Sequence, residues 1–253
     1  MALSPDEVAR YARHIVLHEV GGAGQARLAA SRILVIGAGG LGSPALLYLA
    51  AAGVGRLTVV DDDAVSLSNL QRQVLHTTPA IGTPKTESAR AALAQLNPHV
   101  AVTTVARRLD PTTAADLVVG HDLVLDGSDN FPTRYCANDA CVAAGVPLLL
   151  GALSAWEGQV GLFDPRRGGP CYRCVFPEQP AAGLSAPCSE AGVVGALPGV
   201  IGTLMALEAI KLVTRVGTSL RGTLLLFDGL GLETRRIRVT ARADCQTCHG
   251  AGA

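Results

Sequence analysis

Residues 32–42, RILVIGAGGLG, constrain the fold more than any other part of the 253-residue chain. A short β-branched run enters a glycine cluster, and the Ala/Leu-rich residues 43–52 behind it read as a helix. Gly37, Gly39 and Gly42 satisfy G-x-G-x-x-G, with Gly40 inside the pattern. A strand, a glycine turn and a helix in this order let the backbone approach a phosphate at a helix N-terminus. Continuous apolar strands that alternate with helices imply a parallel sheet covered on both faces.

The alternation continues along the chain. Residues 56–61, 101–107, 122–126 and 146–150 read as strands, and 84–96 and 131–144 as helices, the second closed by Gly145. An amphipathic helix precedes the first strand. From Glu157 the texture changes, and residues 159–163, 223–227 and 233–239 predict an antiparallel extension of the same sheet. The expected class is α/β: a Rossmann-like, mostly parallel sheet with that extension and helices on both faces. No linker separates the halves, so residues 1–253 are expected to form one domain. Its nucleotide-binding half is about 1–150 and its substrate-facing half about 151–253.

Charge narrows the function. Lys+Arg 21 against Asp+Glu 21 leaves no long-range basic field for nucleic acid or anionic lipid, so neither is an expected partner. Residues 191–207 are nearly uncharged, but Gly192, Gly195, Pro198, Gly199 and Gly202 interrupt them. A buried helix behind a Gly/Pro loop is expected there rather than a membrane span. Asp6, Glu7, Arg10, Arg13 and Glu19 break up any secretory apolar core at the N-terminus, and a cytoplasmic protein is expected.

Asp61 ends the second strand, about where an acidic side chain would bind ribose hydroxyls. On the glycines and Asp61 alone a dinucleotide oxidoreductase is the leading reading. The run Ser68, Asn69, Leu70, Gln71, Arg72, Gln73 then adds amide and guanidinium donors, and Lys85 opens the next helix. A cation pair with amides suits a polyphosphate better than a dinucleotide bridge. A solvated charge is the alternative for Lys85, but a cation at a helix start opposes the helix dipole. Asp129 and Asn130 follow the fourth strand; a carboxylate there can hold Mg²⁺, and either residue can cap the helix at Phe131.

Cys171, Cys174, Cys245 and Cys248 form C-x-x-C…C-x-x-C, four thiolates from two turns, as in closed tetrahedral Zn²⁺ sites. Such a site leaves no position for substrate and is expected to be structural, pinning the C-terminal segment to the loop after Pro170. Cys136 and Cys141 read as packed small hydrophobes. Cys188 precedes an apolar helical region and is a candidate nucleophile or persulfide acceptor, or an ordinary buried thiol.

Gly37 to Gly42, Asp61 to Asp63, the S-N-L-Q-R-Q run, Gly82 to Lys85, Asp126 to Asn130, the paired C-x-x-C motifs and Pro187-Cys188 together resemble a known family. It is that of the sulfur-carrier adenylyltransferases of the MoeB and ThiF type, bacterial relatives of ubiquitin-activating enzymes, and the resemblance spans nearly the whole chain. It implies that the C-terminal Gly-Gly carboxylate of a small ubiquitin-like sulfur carrier attacks the α-phosphate of ATP, giving acyl-adenylate and pyrophosphate. Sulfur transfer for molybdopterin, thiamine or tRNA thiolation would follow. By the same resemblance Gly40 and Asp61 hold the nucleotide, Asn69, Arg72 and Lys85 stabilise its phosphates, and Asp129 binds Mg²⁺ with Asn130 beside it. Arg13 matches an arginine that reaches the neighbouring subunit's triphosphate, which implies a homodimer. Cys188 matches a cysteine that forms an acyl-disulfide or persulfide in some members and is dispensable in others. The sequence ends at Ala253 without a rhodanese-like domain, so a separate sulfurtransferase or desulfurase is expected to supply sulfur. An NAD-dependent oxidoreductase and a non-catalytic scaffold for a ubiquitin-like protein are the alternatives.

Overall fold

The structure, a computed structural model, describes residues 3–179 and 192–249. Three short helices open it, α1 (Pro5–Arg10), α2 (Ala12–Ile15) and α3 (Gly21–Ala30), where the sequence predicts one. Gly21, at φ +57°, turns the chain into the third. Then follow β1 (Arg32–Ile36), α4 (Gly42–Ala51), β2 (Arg56–Val60), α5 (Lys85–Leu96), β3 (Ala101–Val105), α6 (Ala114–Val118) and β4 (Leu123–Asp126). After α7 (Phe131–Ala144) come β5 (Leu148–Ser154), β6 (Glu157–Phe163), α8 (Tyr172–Val175), α9 (Ala196–Thr214), β7 (Thr223–Asp228) and β8 (Glu233–Arg238).

All these strands join one sheet in the order β3-β2-β1-β4-β5-β6-β7-β8. Pairing is parallel from β3 through β5 and antiparallel from β5 through β8. Alternation along β1 distributes the core. Ile33 and Val35 join a cluster with residues of α3, α4, α5 and α9, while Leu34 and Ile36 join one with α6, α7 and α8. Helices therefore cover both faces, as continuous apolar strands require. Cys141 is buried in the second cluster and Cys136 packs against it, as small hydrophobes.

Helix α9 runs to Thr214, past the charges that close the apolar run in sequence. Glu208 is buried at 3% exposure because its Oε2 pairs with Lys211 Nζ at 2.6 Å and its Oε1 accepts the amide of Leu220 at 2.6 Å. The helix is apolar and long enough to cross a membrane, but it packs on α3, α4, β5 and β6. Helices α6 and α8, of five and four residues, are too short to leave a periodic signal in sequence.

Strand order reverses between β1 and β4, whose partners lie to opposite sides. The loops leaving these two strands at their carboxyl ends therefore lie side by side, the usual ligand crevice of an open α/β sheet. Their approach is close: a Cβ on Gly37 would meet the Gly127 carbonyl oxygen at 3.2 Å, and one on Gly42 would collide with the Gly37 carbonyl. Gly42→Ala is therefore expected to cost about 3 kcal/mol of stability by overpacking. Gly39→Ala, whose Cβ would have only the Gln73 side chain at 3.6 Å, should cost little. Urea midpoints compare the two; equal midpoints would contradict the packing account.

Candidate functional site

The glycine loop is built by backbone and held by side chains from three directions. Gly37, at φ +88°, donates its amide to Val60 O at 2.8 Å. Ala38 donates its amide to Asp61 Oδ2 at 2.7 Å, and Asp63 N reaches Oδ1 of the same carboxylate at 2.9 Å. Burial raises the Asp61 carboxyl above its ordinary value, against the opposing pull of Lys85 and the two amides. Each carboxylate oxygen keeps a second lone pair, so a ribose hydroxyl can still bond there.

The Ala38 carbonyl is held by His76, whose Nε2 lies 2.8 Å away while its Nδ1 meets Ser88 Oγ at 2.9 Å. Burial lowers the His76 pKa, so the ring is a neutral strut between the loop and α5. No sequence motif marks this residue.

Lys85 sits at the first position of α5 and is 5% exposed. Its Nζ pairs with Asp63 Oδ2 at 2.7 Å, which offsets the unfavourable helix dipole. Arg72 holds Ser68 O through Nη1 at 3.1 Å, and its Cγ would lie 3.7 Å from a Cβ on Gly40, the position that also faces Pro198 of α9. Asn69, half-buried in a 3₁₀ turn, accepts the amide of Ser66 at its Oδ1, and its side-chain NH₂ has no partner among the described residues. Gln71 packs against Gly195 before α9, and Leu70 is half-buried beside it. Ser68 is exposed, with its hydroxyl 3.1 Å from that of Ser66.

Across the crevice, Asn130 is the helix cap: its Oδ1 accepts the amide of Thr133 at 3.0 Å. Asp129 is exposed and makes no hydrogen bond or ion pair with any described residue, so its carboxylate is available to a cation. Behind it Asp126 is fully buried, its pKa raised by that burial, with Oδ1 accepting Ser128 N at 2.8 Å. Arg134 donates from Nη2 to Ser128 O at 3.0 Å, so both sides of the residue before Asp129 are clamped.

Among the described residues, the buried side-chain polar atoms without a partner are Gln73 Oε1, Thr86 Oγ1, Asp126 Oδ2, Ser128 Oγ, Arg134 Nε and His121 Nδ1. Buried polar atoms are normally hydrogen-bonded. All but the last belong to this one edge, which therefore has unmet hydrogen-bonding capacity that a polar ligand could satisfy.

The structure does not bring Arg13 to this edge. It is exposed on α2, next to Tyr11, whose hydroxyl accepts Asn97 Nδ2 at 2.8 Å past the C-terminus of α5. That end of α5 lies at the amino edge of the sheet. Cys188 lies outside the described residues.

Cys171, Cys174, Cys245 and Cys248 come together from two turns, with sulfur separations of 3.7 Å (171–174), 3.6 Å (171–245) and 3.4 Å (174–248). A tetrahedron with metal–sulfur bonds of about 2.3 Å has edges of about 3.8 Å. Burial pushes the Cys171 and Cys248 thiols up, the latter to about 11. Burial also acts on Cys245, but the amides of Cys248 and Thr247 and the neighbouring thiols hold it down at about 7. Four crowded sulfurs fit a soft divalent metal ion. The turn is anchored on α7 by Asn138 Oδ1, which accepts Tyr172 N at 2.7 Å, and by Asp139, paired twice with Arg173 at 2.8 Å. Cys174→Ser is expected to lower bound metal and to reduce Tm by roughly 10 °C. Unchanged metal content and melting would contradict a structural role.

A SAMP-activating enzyme E1 of Haloferax volcanii is 48% identical over 252 residues, covering 100% of this chain and 93% of that protein. A sulfur carrier protein adenylyltransferase of Thermus thermophilus is 47% identical over 252 residues, covering 98% and 93%. Against the adenylyltransferase and sulfurtransferase MOCS3 of Mus musculus the identity is 51% over 98% of this chain, which spans about half (54%) of that longer protein. The crystal structure of E. coli MccB with MccA-N7isoASN shares the fold, with a TM-score of 0.84 at 22% identity over 98% of this chain and 75% of that one. The ThiF family profile matches residues 11–248, and the chain belongs to the ThiF family.

Proposed function

We propose that the chain is an ATP-dependent adenylyltransferase acting on the C-terminal Gly-Gly carboxylate of a small ubiquitin-like sulfur carrier. The observation that carries this reading is the unpartnered polar edge between β1 and β4, with Asp129 free and Arg72 and Lys85 beside the glycine loop. The names of the Haloferax and Thermus relatives support the same reaction class.

In this reading the glycine loop and Asp61 seat the nucleotide, the loop amides at the start of α4 facing its phosphates. A carboxylate oxygen of the carrier forms a bond to the α-phosphorus, and the bond from that phosphorus to the bridging oxygen breaks. The electron pair leaves with pyrophosphate. Two anions must be aligned while charge grows on the leaving group, so Arg72, Lys85 and the Asn69 amide supply the offset. Lys85 is delivered by Asp63 and has little rotamer freedom to lose. Asp129 would hold Mg²⁺, which supplies charge neutralisation on the phosphates. Zn²⁺ is the metal that four thiolates in this spacing favour, and its role is structural. Reduced thiolates fit a cytoplasmic location.

Arg13 lies at the wrong edge of its own chain for this chemistry. A homodimer in which it enters the partner's site accounts for an exposed, unpaired arginine there. Family membership sets aside the hydride-transfer alternative. The convergence of Arg72, Lys85 and Asp129 on one edge favours catalysis over a silent scaffold. Sulfur would come from a separate sulfurtransferase or desulfurase, for molybdopterin, thiamine or tRNA thiolation.

ATP–pyrophosphate exchange tests the roles. With the cognate carrier, Asp129→Ala and Arg72→Ala are each expected to lose 10²–10³-fold in exchange rate while melting like the parent. Retained exchange in Asp129→Ala would reduce that residue to a loop position.

A further inference from the structure

The amino edge of the sheet, opposite the nucleotide crevice, carries a cleft of about 670 Å³ bounded by the ends of α3, α7 and α9 and by the turn after β6. This volume falls within the range of small-molecule sites, about 300–1,000 Å³. Its charge is one-sided. Arg27, Arg166, Arg167 and Arg215 line it, against Asp122 and Asp164. Asp164 is already taken, with Oδ2 accepting Arg221 Nη2 at 2.8 Å and Nε at 3.2 Å, and Asp122 Oδ2 accepts the Arg32 amide at 2.8 Å.

Helix C-termini attract cations, and that accounts for Arg27, which donates to Thr214 O at 2.8 Å at the end of α9. The same dipole acts on Arg215, which caps α9, and on Arg166, which lies over Gly145 at the end of α7, but it gives neither guanidinium a hydrogen-bond partner and does not reach Arg167. The side chains of Arg166, Arg167 and Arg215, all exposed, make no hydrogen bond or ion pair with any described residue. Arg166 is nonetheless seated: a Cβ on Gly145, at φ +66°, would meet its Cδ and Nη1 at 2.7 Å, so the side chain lies over a glycine that makes room for it. Arg215 caps α9 in the left-handed region at φ +63°, where glycine would be the unstrained choice. His121 lines the same cleft, and among the described residues its Nδ1 is the one unpartnered buried side-chain polar atom away from the nucleotide crevice.

We propose that this cleft is a second anion site, which binds a small molecule carrying two or more phosphate groups. Three free guanidinium forks around one concavity match phosphate oxygens in pairs, and a single phosphate would fill only a small part of the volume. The site shares no residue with the nucleotide crevice.

Tripolyphosphate is the probe, titrated calorimetrically into the full chain whose nucleotide crevice is saturated with Mg²⁺ and a non-hydrolysable ATP analogue. One binding event per chain is expected, weakened at least tenfold in Arg166→Gln/Arg215→Gln and in Arg167→Glu. Both variants should melt like the parent and keep their pyrophosphate exchange. The same titration in Arg72→Ala without analogue should retain the event, which separates this site from the nucleotide reading. No binding under saturation, or binding indifferent to all three arginines, would overturn the proposal. So would capture of an oligoglutamate peptide without tripolyphosphate, which would make the cleft a protein-docking surface.

Discussion

The fit between two glycine-bearing loops is the constraint on which the rest of the molecule depends. Gly37 and Gly42 bring the end of β1 and the start of α4 so close that neither tolerates a side chain, and Gly127 of the β4 loop packs against the same turn. Because the strand order reverses between β1 and β4, that contact is also the crevice. The Asp61 carboxylate and the His76 ring then fix the two polar groups of Ala38, amide and carbonyl, from opposite sides. A loop held this way is preformed, and donors that are preformed need no reorganisation when a ligand reacts beside them.

Charge at the crevice is arranged by partners that differ in exposure. Lys85 is buried and receives its counter-charge from the exposed Asp63, whereas Asp129 stands free at the rim. Asp126 and Arg134 lie beneath, each with a polar atom lacking a partner, and both hold Ser128. Helix α7 links this floor to the cysteine cluster: its first turn carries Arg134, and Asn138 and Asp139 further on grip Tyr172 and Arg173 between two of the cysteines. A metal held by the cluster would thus steady the helix that begins beside Asp129.

Much of this was legible in the sequence because it is local. A strand, three spaced glycines and an Ala/Leu helix have few alternative folds, and two C-x-x-C pairs that meet across 74 residues have the spacing of a shared four-thiolate metal site. Lys85 was legible for its place at a helix start, but its partner was not, since Asp63 reaches it only through tertiary packing. The cap between Asp129 and Asn130 was open in sequence and is resolved by one contact, Thr133 N to Asn130. His76 carries no motif, and its role depends on α5 lying beside the glycine loop. The cationic cleft was illegible for the same reason. Arg27, Arg166 and Arg215 are far apart in the chain and meet because helices antiparallel to the strands end at one edge.

The central claim is that this edge transfers AMP to a protein carboxylate. Mass spectrometry of a ubiquitin-like carrier incubated with ATP, Mg²⁺ and the chain tests it directly. A carrier ending in Gly-Gly is expected to gain one AMP, and a carrier lacking those two residues none. Consumption of ATP with no adenylated carrier, or adenylation indifferent to the truncation, would contradict the account.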